Sequence, residues 1–391
     1  MNEGTQGYRT VFHVSLAILT VCFCVSAGQG RAQTVIKGPY PQNVTKTSVK
    51  ILFETDQPTA GRVVYGAGTM FTGEAKGPKT TMHEIKINGL KPATEYKFLL
   101  PGLKGRANRY ADDGINKTGG SFKTAVEGNE PFTFLFYGDT RTHEKDHFRV
   151  VSAARKFDYD FGIISGDLVE TGDVEEQWQT FFDVEHELMR RTPLYAVVGN
   201  HDDDDDAELL LKYFANPVDS SGNEAYYSFV YGNSLFVVID HHVHETELMT
   251  GKQSGWLQQT LAAYADDKKI KNRFVLVHVP PFCSKPGRPG SAKMYKKLGL
   301  FLETGVDLLM GGHNHHYERG LAENGVVYLT CGGGGAPLYD TLGPRRVKDP
   351  PHDVLVGLKS FCFVKFDVNE NGFKFTAYNE KGDVIDKYEK K

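Results

Sequence analysis

Five short polar motifs, each placed directly after an apolar run, carry the side chains of this sequence that could do chemistry. They are Gly138-Asp139-Thr140-Arg141, Gly166-Asp167, Gly199-Asn200-His201-Asp202, His278 and Gly312-His313-Asn314-His315. Together they offer carboxylate and amide oxygens and imidazole nitrogens, which suit divalent ions such as Zn, Mn and Fe. An aspartate shared between two half-sites can bridge two such ions about 3.5–4 Å apart, which is the usual arrangement for hydrolysis of phosphate esters.

The placement of the motifs supports one shared site. A glycine precedes Asp139, Asp167, Asn200 and His313, and glycine lets the backbone turn sharply at a strand end. Open α/β sheets bind ligands in the loops at the carboxyl ends of their strands. A single Gly-Asp pair usually marks only a turn, so the prediction rests on the ordered set of six potential ligands.

The segments that must position these motifs alternate between strands and helices from Pro131 onward. Continuous buried strands that alternate with helices indicate a layered α/β fold. The C-terminal segment 360–387 returns to strands, with a hairpin turn at 369–372. The predicted strands are 132–137, 161–165, 194–198, 235–240, 274–277, 306–310 and 326–330, and the predicted helices are 146–156, 175–190, 254–265 and 292–303.

The region 35–126 has a different pattern and is predicted to be all-β. Short segments rich in strand formers, at 48–54, 62–65, 83–87 and 94–98, are separated by Gly, Pro or Asn. Strands at this spacing indicate a β-sandwich. The polar stretch 125–130 is predicted to be a linker to the α/β region, and 391 residues are in keeping with two domains.

Residues 1–32 are predicted to be a secretory signal peptide. Arg9 precedes the apolar stretch 11–27, and small residues follow as far as Ala32. The alternative is a transmembrane anchor, for which the apolar run is short of the roughly 20 residues required. We therefore expect a secreted or periplasmic protein with no membrane span in the mature chain.

Composition narrows the function further. The net charge of −4 lacks the basic footprint of a nucleic-acid binder. Cys22 and Cys24 would leave with the leader, and the remaining Cys283, Cys331 and Cys362 show neither a disulfide framework nor C-x-x-C spacing. One pair could bond in an oxidising compartment, but Cys331 and Cys362 are expected to be small core residues within strands.

The order of the five motifs resembles that of the calcineurin-like metallophosphoesterases. The sequences 312–319 and 331–336 are most similar to the purple acid phosphatase branch, and 38–45 resembles the opening of its N-terminal domain. The segment 90–96 resembles the corner sequence of fibronectin type III domains. The resemblance implies a four-layered α-β-β-α sandwich over 131–391, preceded by a fibronectin type III-like sandwich over 35–126.

The resemblance also implies a role for each site residue. His201 would face the substrate phosphate without binding metal, and Asp202 would orient its imidazole from behind. Asp167 would bridge two metal ions, of which Fe, Mn or Zn are candidates. The first ion would be held by Asp139, Asp167 and His315, and the second by Asp167, Asn200, His278 and His313.

Three departures from the family pattern bear on the chemistry. Arg141 stands where the wider family often has a metal-binding His, and its guanidinium could contact the substrate phosphate or form a structural ion pair. Glu170 stands where purple acid phosphatases have the Tyr that colours their iron, so we expect no purple colour. The further ligand of the first metal could be Glu170, His143, His147 or none. The stretch 280–293 also lacks the family's substrate-facing histidines.

The sequence thus predicts an exported, metal-dependent, acid phosphatase-like monoesterase acting on a small phosphorylated substrate. A metal-bridging hydroxide would attack phosphorus, and His201 could protonate the leaving group. The alternatives are a phosphodiesterase or nucleotidase on the same site, and a non-catalytic surface-binding protein with a vestigial site. Substrate, metal identity and oligomeric state stay open.

Overall fold

The computed structural model describes Met1 and residues 33–391, except 142, 219–221, 241–250, 293, 297, 299–304 and 391. The predicted leader therefore lies outside the described residues, as does part of the predicted helix 292–303. Residues 33–391 belong to one compact unit. Within the described ranges, every helix is too short or too polar to span a bilayer.

The first ninety described residues form strands only, around an apolar core that includes Val49, Phe53 and Phe122. The segments predicted at 48–54 and 62–65 are one long strand, because the sheet absorbs the intervening Asp56-Gln57-Pro58 as a register shift. This strand, β2, pairs with β1 through 50–55 and with β4 through 64–67. The strands are β1 Thr34–Gln42, β2 Ser48–Ala67, β3 Gly73–Asn88, β4 Glu95–Leu99, β5 Lys104–Gly105 and β6 Gly119–Lys123.

The remainder of the chain alternates strands and helices as predicted, and each predicted strand and fully described helix lies within two residues of an observed one at each end. The helices are α1 Glu144–Ala154, α2 Glu175–Met189, α3 Glu208–Tyr213 and α4 Lys252–Ala265. The strands are β7 Phe132–Tyr137, β8 Phe161–Ile164, β9 Leu194–Ala196, β10 Tyr227–Tyr231, β11 Ser234–Ile239, β12 Asn272–Val277, β13 Phe282–Lys285, β14 Arg288–Gly290, β15 Leu308–Gly311, β16 Tyr317–Ala322, β17 Val327–Cys331, β18 Arg345–Lys348, β19 Pro351–Leu358, β20 Phe363–Asn369, β21 Gly372–Tyr378 and β22 Val384–Glu389.

Two large sheets carry the site. The six-stranded sheet has the order β22-β21-β20-β7-β8-β9, in which β7, β8 and β9 are parallel. The eight-stranded sheet has the order β10-β11-β12-β15-β17-β16-β19-β18, in which β11, β12, β15 and β17 are parallel. The hairpin β13-β14 stands apart from both sheets. Parallel neighbours end at the same edge, which is what brings distant motifs together.

The two sheets pack face to face, with helices on their outer sides. Phe134 of β7 meets Phe236 and Phe274 of the other sheet edge-on, with ring centroids 5.3 and 5.5 Å apart. Tyr137 of the same strand points the other way, and its hydroxyl donates to Glu185 of α2 at 2.6 Å. On the far side of the eight-stranded sheet, Leu257 of α4 joins a separate apolar cluster with alternate residues of β11 and β12.

The N-terminal sheet is attached to the α/β region by buried contacts. The Tyr40 ring stacks on Phe182 with centroids 5.2 Å apart, and its hydroxyl donates to the Tyr213 carbonyl at 2.9 Å. Lys37, only 4% exposed, pairs with Glu175 at 3.2 Å. A shared apolar cluster containing Tyr40 and residues of both large sheets runs across this junction.

Candidate metal centre

Five parallel strands deliver six potential ligands to one edge of the α/β region. In the six-stranded sheet β7, β8 and β9 precede Asp139, Asp167 and Asn200, and in the eight-stranded sheet β12 and β15 precede the histidines. In two groups of three side chains, each residue offers one ligand atom within 4.8 Å of those of the other two, and both groups contain Asp167. The groups are Asp167, His278 and His313, and Asp139, Asp167 and His315.

The backbone at these strand ends is sharply turned. Asp139, Asp167 and His313 adopt left-handed φ angles of 60°, 53° and 63°, which cost roughly 1–3 kcal/mol each outside glycine. The glycines matter mainly for close approach: a Cβ on Gly199 would lie 2.0 Å from the Asp167 nitrogen, and one on Gly312 would lie 2.5 Å from Asp139 Oδ2. The left-handed backbone conformation that makes each turn is therefore adopted largely by the ligand residues themselves.

His278 directs its Nε2 atom at two oxygens. Its Nδ1–H donates to the Ser165 carbonyl at 2.6 Å, which leaves Nε2 at 3.1 Å from Asp167 Oδ1 and 3.2 Å from Asn200 Oδ1. Burial alone would lower the pKa of His278, but the Asp167 carboxylate raises this pKa to about 9. Three acceptor atoms that converge in this way require a cation between them, either a proton or a metal ion.

In the second ligand group, Asp139 likewise has an oxygen that requires a cation. This carboxylate is fully buried, and its Oδ1 has no hydrogen-bond partner within the described part of the chain. His315 Nε2 lies 3.5 Å from that oxygen, and His315 Nδ1–H donates to the Pro337 carbonyl at 2.9 Å. Burial raises the pKa of Asp139 well above its usual range and lowers the pKa of His315 to about 4. An ion here would meet one unsatisfied oxygen and one neutral nitrogen.

His313 and Asn200 complete the arrangement. Asn200 Oδ1 lies 2.8 Å from His313 Nδ1, and Arg288 Nη1 donates to His313 Nε2 at 3.1 Å. Burial, with the neighbouring His278, lowers the pKa of His313 to about 3. The imidazole is therefore neutral near pH 7, which is the form that binds metals. The donor set fits two borderline divalent ions, because it combines neutral imidazoles with carboxylates and an amide oxygen.

The predicted role of Asp202 is wrong. Asp202 Oδ1 accepts from the amides of Leu168 at 2.8 Å and Val169 at 3.3 Å, and Oδ2 accepts from the Gly199 amide at 3.0 Å. Its carboxylate is fully buried and turns toward these amides because the strand ends leave them without other acceptors. Asp202 thus holds two loops together and does not contact the His201 ring.

His201 is oriented by backbone instead. Its Nδ1–H donates to the Glu170 carbonyl at 2.8 Å, and its own amide donates to Asp167 Oδ1 at 2.9 Å. The side chain is 29% exposed and belongs to neither ligand group. The imidazole therefore lies beside the shared aspartate with Nε2 as the nitrogen available for proton transfer.

The candidates for a further ligand lie elsewhere. Glu170 forms an ion pair with Arg141. His147 is buried in α1, with Nε2 2.7 Å from Glu185 Oε1, and His143 is exposed ahead of α1. Among the described residues, none of the three histidine and glutamate candidates joins either ligand group. Of the two roles that the sequence allows for Arg141, the structure shows the structural ion pair and not the substrate contact.

Three residues near the centre were not anticipated from the sequence. Tyr339 stacks on His315 with ring centroids 4.2 Å apart, and Lys285 Nζ lies 3.3 Å from the centre of the Tyr339 ring. Arg288, the third, contacts His313 from the hairpin β13-β14. The available signal was the turn sequence Pro286-Gly287 flanked by two cations; nothing in the sequence marked Tyr339.

Comparison with known proteins agrees with this geometry. Residues 132–317 match the calcineurin-like phosphoesterase family. The chain is 27% identical to probable purple acid phosphatase 20 of Arabidopsis thaliana, over 73% of this chain and 71% of that protein, and 26% identical to purple acid phosphatase 21 of the same plant, over 78% and 71%.

Two solved structures share the fold. The purple acid phosphatase PPD1 from yellow lupin seeds superposes with a TM-score of 0.72 at 17% identity, covering 90% of this chain and 73% of that one. GAP50 of Plasmodium, described as the anchor in the inner membrane complex, superposes with a TM-score of 0.51 at 19% identity, covering 66% and 88%.

Proposed function

We propose that this chain, a metal-dependent phosphoric ester hydrolase with a calcineurin-like phosphoesterase domain and purple acid phosphatase relatives, is an exported phosphomonoesterase. The observation that carries the proposal is the pair of ligand groups that share Asp167. The shared carboxylate, with nitrogen donors on both sides, is the arrangement expected of a two-ion centre.

The residues that would hold the two ions are those brought together at the strand ends. When bound, two ions would act as Lewis acids toward the phosphate and make water acidic enough to react at neutral pH. The protein's share is to hold the ligand side chains in place before substrate arrives. One ion would be held by Asp139, Asp167 and His315, and the other by Asp167, Asn200, His278 and His313.

His201 would handle the proton of the leaving group. Because Nδ1–H is committed to the Glu170 carbonyl, Nε2 can carry a proton toward the departing oxygen. A positioned acid of this kind contributes about 10²–10⁴ in rate. Its attachment to Asp167 through the backbone amide keeps the imidazole next to the reacting phosphate.

Cations near the centre favour a monoester substrate. Arg288 donates to His313, and Lys285 lies over the ring that stacks on His315. A terminal monoester carries more negative charge than a diester, so it gains more from guanidinium and ammonium groups. Arg288 and Lys285 would thus bind the substrate phosphate in place of the family's substrate-facing histidines, which this sequence lacks.

The remaining parts of the proposal concern the rest of the chain. Residues 1–32 would be the export signal, 35–126 a fibronectin type III-like domain and 131–391 the catalytic domain. The strand-only N-terminal sheet, in which β2 pairs with β1, β3 and β4 along its length, supports the second assignment. Fe, Mn and Zn are all compatible with the donor set.

Two alternatives can be separated from this proposal. A phosphodiesterase or nucleotidase would use the same ion ligands, so only substrate preference distinguishes it. A vestigial, non-catalytic protein is conceivable because the fold also occurs in a protein described as an anchor. The complete set of six ligands argues for catalysis.

The test is a rate comparison on the purified chain after removal and readdition of Mn, Zn or Fe. We expect p-nitrophenyl phosphate to be hydrolysed faster than bis-p-nitrophenyl phosphate, and Asp167→Asn to abolish both activities. The matched control is Asp173→Asn, an exposed aspartate a few residues along, which should keep full activity. Faster diester hydrolysis would favour the phosphodiesterase, and no turnover with any metal would favour the vestigial site.

Arg288→Ala tests the substrate preference. It should lower kcat/KM for the monoester by at least tenfold more than for the diester, because the lost charge interacts more strongly with the monoester. An equal loss for both substrates would show that Arg288 only supports His313.

A further inference from the structure

Two cysteines face each other across the two large sheets. Cys331 ends β17 of the eight-stranded sheet, and Cys362 directly precedes β20 of the six-stranded sheet. Both side chains have no exposed surface, and their sulfurs lie 3.0 Å apart. The sequence prediction of small core residues accounts for their burial but not for their direct contact.

The pair is connected to the candidate metal centre by the loop that follows Cys331. Cys362 N–H donates to the Gly333 carbonyl at 2.9 Å, so the loop that follows Cys331 is held to the segment that precedes β20. The same loop reaches the first motif, where Ala336 N–H donates to the Asp139 carbonyl at 2.9 Å. A covalent link between the sulfurs would therefore join the two sheets at the base of the loop that contacts Asp139.

Other uses of the two thiols do not fit their surroundings. Burial, with the neighbouring Cys362 sulfur, raises the pKa of the Cys331 thiol well above its usual range, and a thiol that stays protonated is neither a nucleophile nor a metal ligand. Within the described residues, neither cysteine belongs to a group of potential metal ligands. What remains close enough to react with each sulfur is the other sulfur.

We propose that Cys331 and Cys362 form a disulfide in the folded protein. Each thiol gives up its proton and one electron, the S–S bond forms, and a disulfide RS–SR of a small thiol or of a dithiol oxidoreductase is reduced to two RSH. Because both sulfurs are fully buried, the exchange takes place while the chain folds. An oxidising compartment, as the proposed export supplies, is where such bonds persist.

The first experiment maps the bond chemically. The full chain is unfolded and reduced, then refolded either with oxidised and reduced glutathione or with a phosphine reductant, and finally unfolded and alkylated with iodoacetamide before peptide mass analysis. After oxidative refolding we expect a linked pair of peptides containing Cys331 and Cys362. Cys283, which is buried and has no cysteine neighbour in the part of the chain that the structure describes, should be alkylated in both samples. Alkylation of Cys331 and Cys362 after oxidative refolding would overturn the proposal.

The second experiment measures what the bond does. The loop that it closes should raise Tm by about 5 °C over the reduced chain, from the chain-entropy relation and the unfolding entropy of a protein of this length. Cys362→Ser should show the same Tm after either refolding, whereas the matched variant Cys283→Ser should keep the difference. Equal Tm values for the oxidised and reduced wild type would contradict the proposal. Both experiments use metal-free protein, so their outcome is independent of whether the chain hydrolyses phosphate esters.

Discussion

Replacing Asp202 separates two roles that the sequence cannot tell apart. The carboxylate accepts hydrogen bonds from the amides of Leu168, Val169 and Gly199 and has no contact with the His201 ring. Asp202→Ala therefore leaves three buried N–H groups without an acceptor, and each such group costs about 1–3 kcal/mol. We expect the free energy of unfolding to fall by at least about 3 kcal/mol, a large part of the roughly 5–15 kcal/mol that stabilises a typical domain.

Asp202→Asn provides a graded comparison. Its amide oxygen can still accept from Leu168 and Val169, but its NH₂ group would face the Gly199 amide, so only about 1–3 kcal/mol should be lost. The assay is urea unfolding of metal-free protein, with His201→Ala as the comparison variant; it should lose only about 1 kcal/mol, because it removes the single side-chain hydrogen bond to the Glu170 carbonyl. The reasoning is refuted if Asp202→Ala keeps its stability and instead loses turnover to the same extent as His201→Ala.

Three further predictions follow from the geometry. His201→Ala should lower turnover by a factor of about 10²–10⁴, with little change in the metal content measured by elemental analysis. Asn200→Ala should instead lose metal. The reverse pattern would show that the two roles are exchanged. Iron-loaded protein should lack an intense tyrosinate-to-iron band in its visible spectrum, because Glu170 stands at the position of the family's ligating Tyr and pairs with an arginine. Such a band would point to Tyr339, which stacks on the proposed ligand His315. Burial lowers the pKa of His186 to about 4, below its unfolded value of about 6.5. The stability that the neutral form contributes is therefore complete above pH 6.5 and is lost between pH 6.5 and 4, by about 3 kcal/mol in total. In His186→Gln the slope of the unfolding free energy against pH should flatten, and an unchanged slope would exclude this histidine as the cause.

The parts that could be predicted from sequence are those that depend on local pattern. The ligand-bearing strands are continuous apolar runs, and burial on both faces explains why β7 and β8 were recognised. The grouping of the ligands followed from strand order, since parallel neighbours end at one edge. By contrast β16, which carries the charged pair Glu318 and Arg319, was missed, because Glu318 is fully buried only through contacts with Ser284 and Tyr328 that are distant in the sequence.

The details of the site depended on tertiary contacts that no local pattern encodes. Asp202 follows His201 directly, so the sequence favours a contact between them. The structure turns the carboxylate inward because amides at the end of β8 and in its own loop after β9 meet it there. Arg288 likewise comes near His313 only because the hairpin β13-β14 folds over the end of β15. Adjacency in the sequence is therefore a poor predictor of hydrogen-bond partners for a buried acceptor that several donors can reach.

The junction between the N-terminal sheet and the α/β region has a consequence for how the protein can be cut and rearranged. Tyr40 is almost fully buried against Phe182, and Lys37 is buried where it reaches Glu175 of α2. A catalytic fragment beginning at Pro131 would leave Phe182 exposed to water and Glu175 without its buried cation. The N-terminal region should therefore not behave as an independent, exchangeable domain. The two regions should unfold in a single calorimetric transition, and a fragment lacking the first sheet should be insoluble when expressed alone.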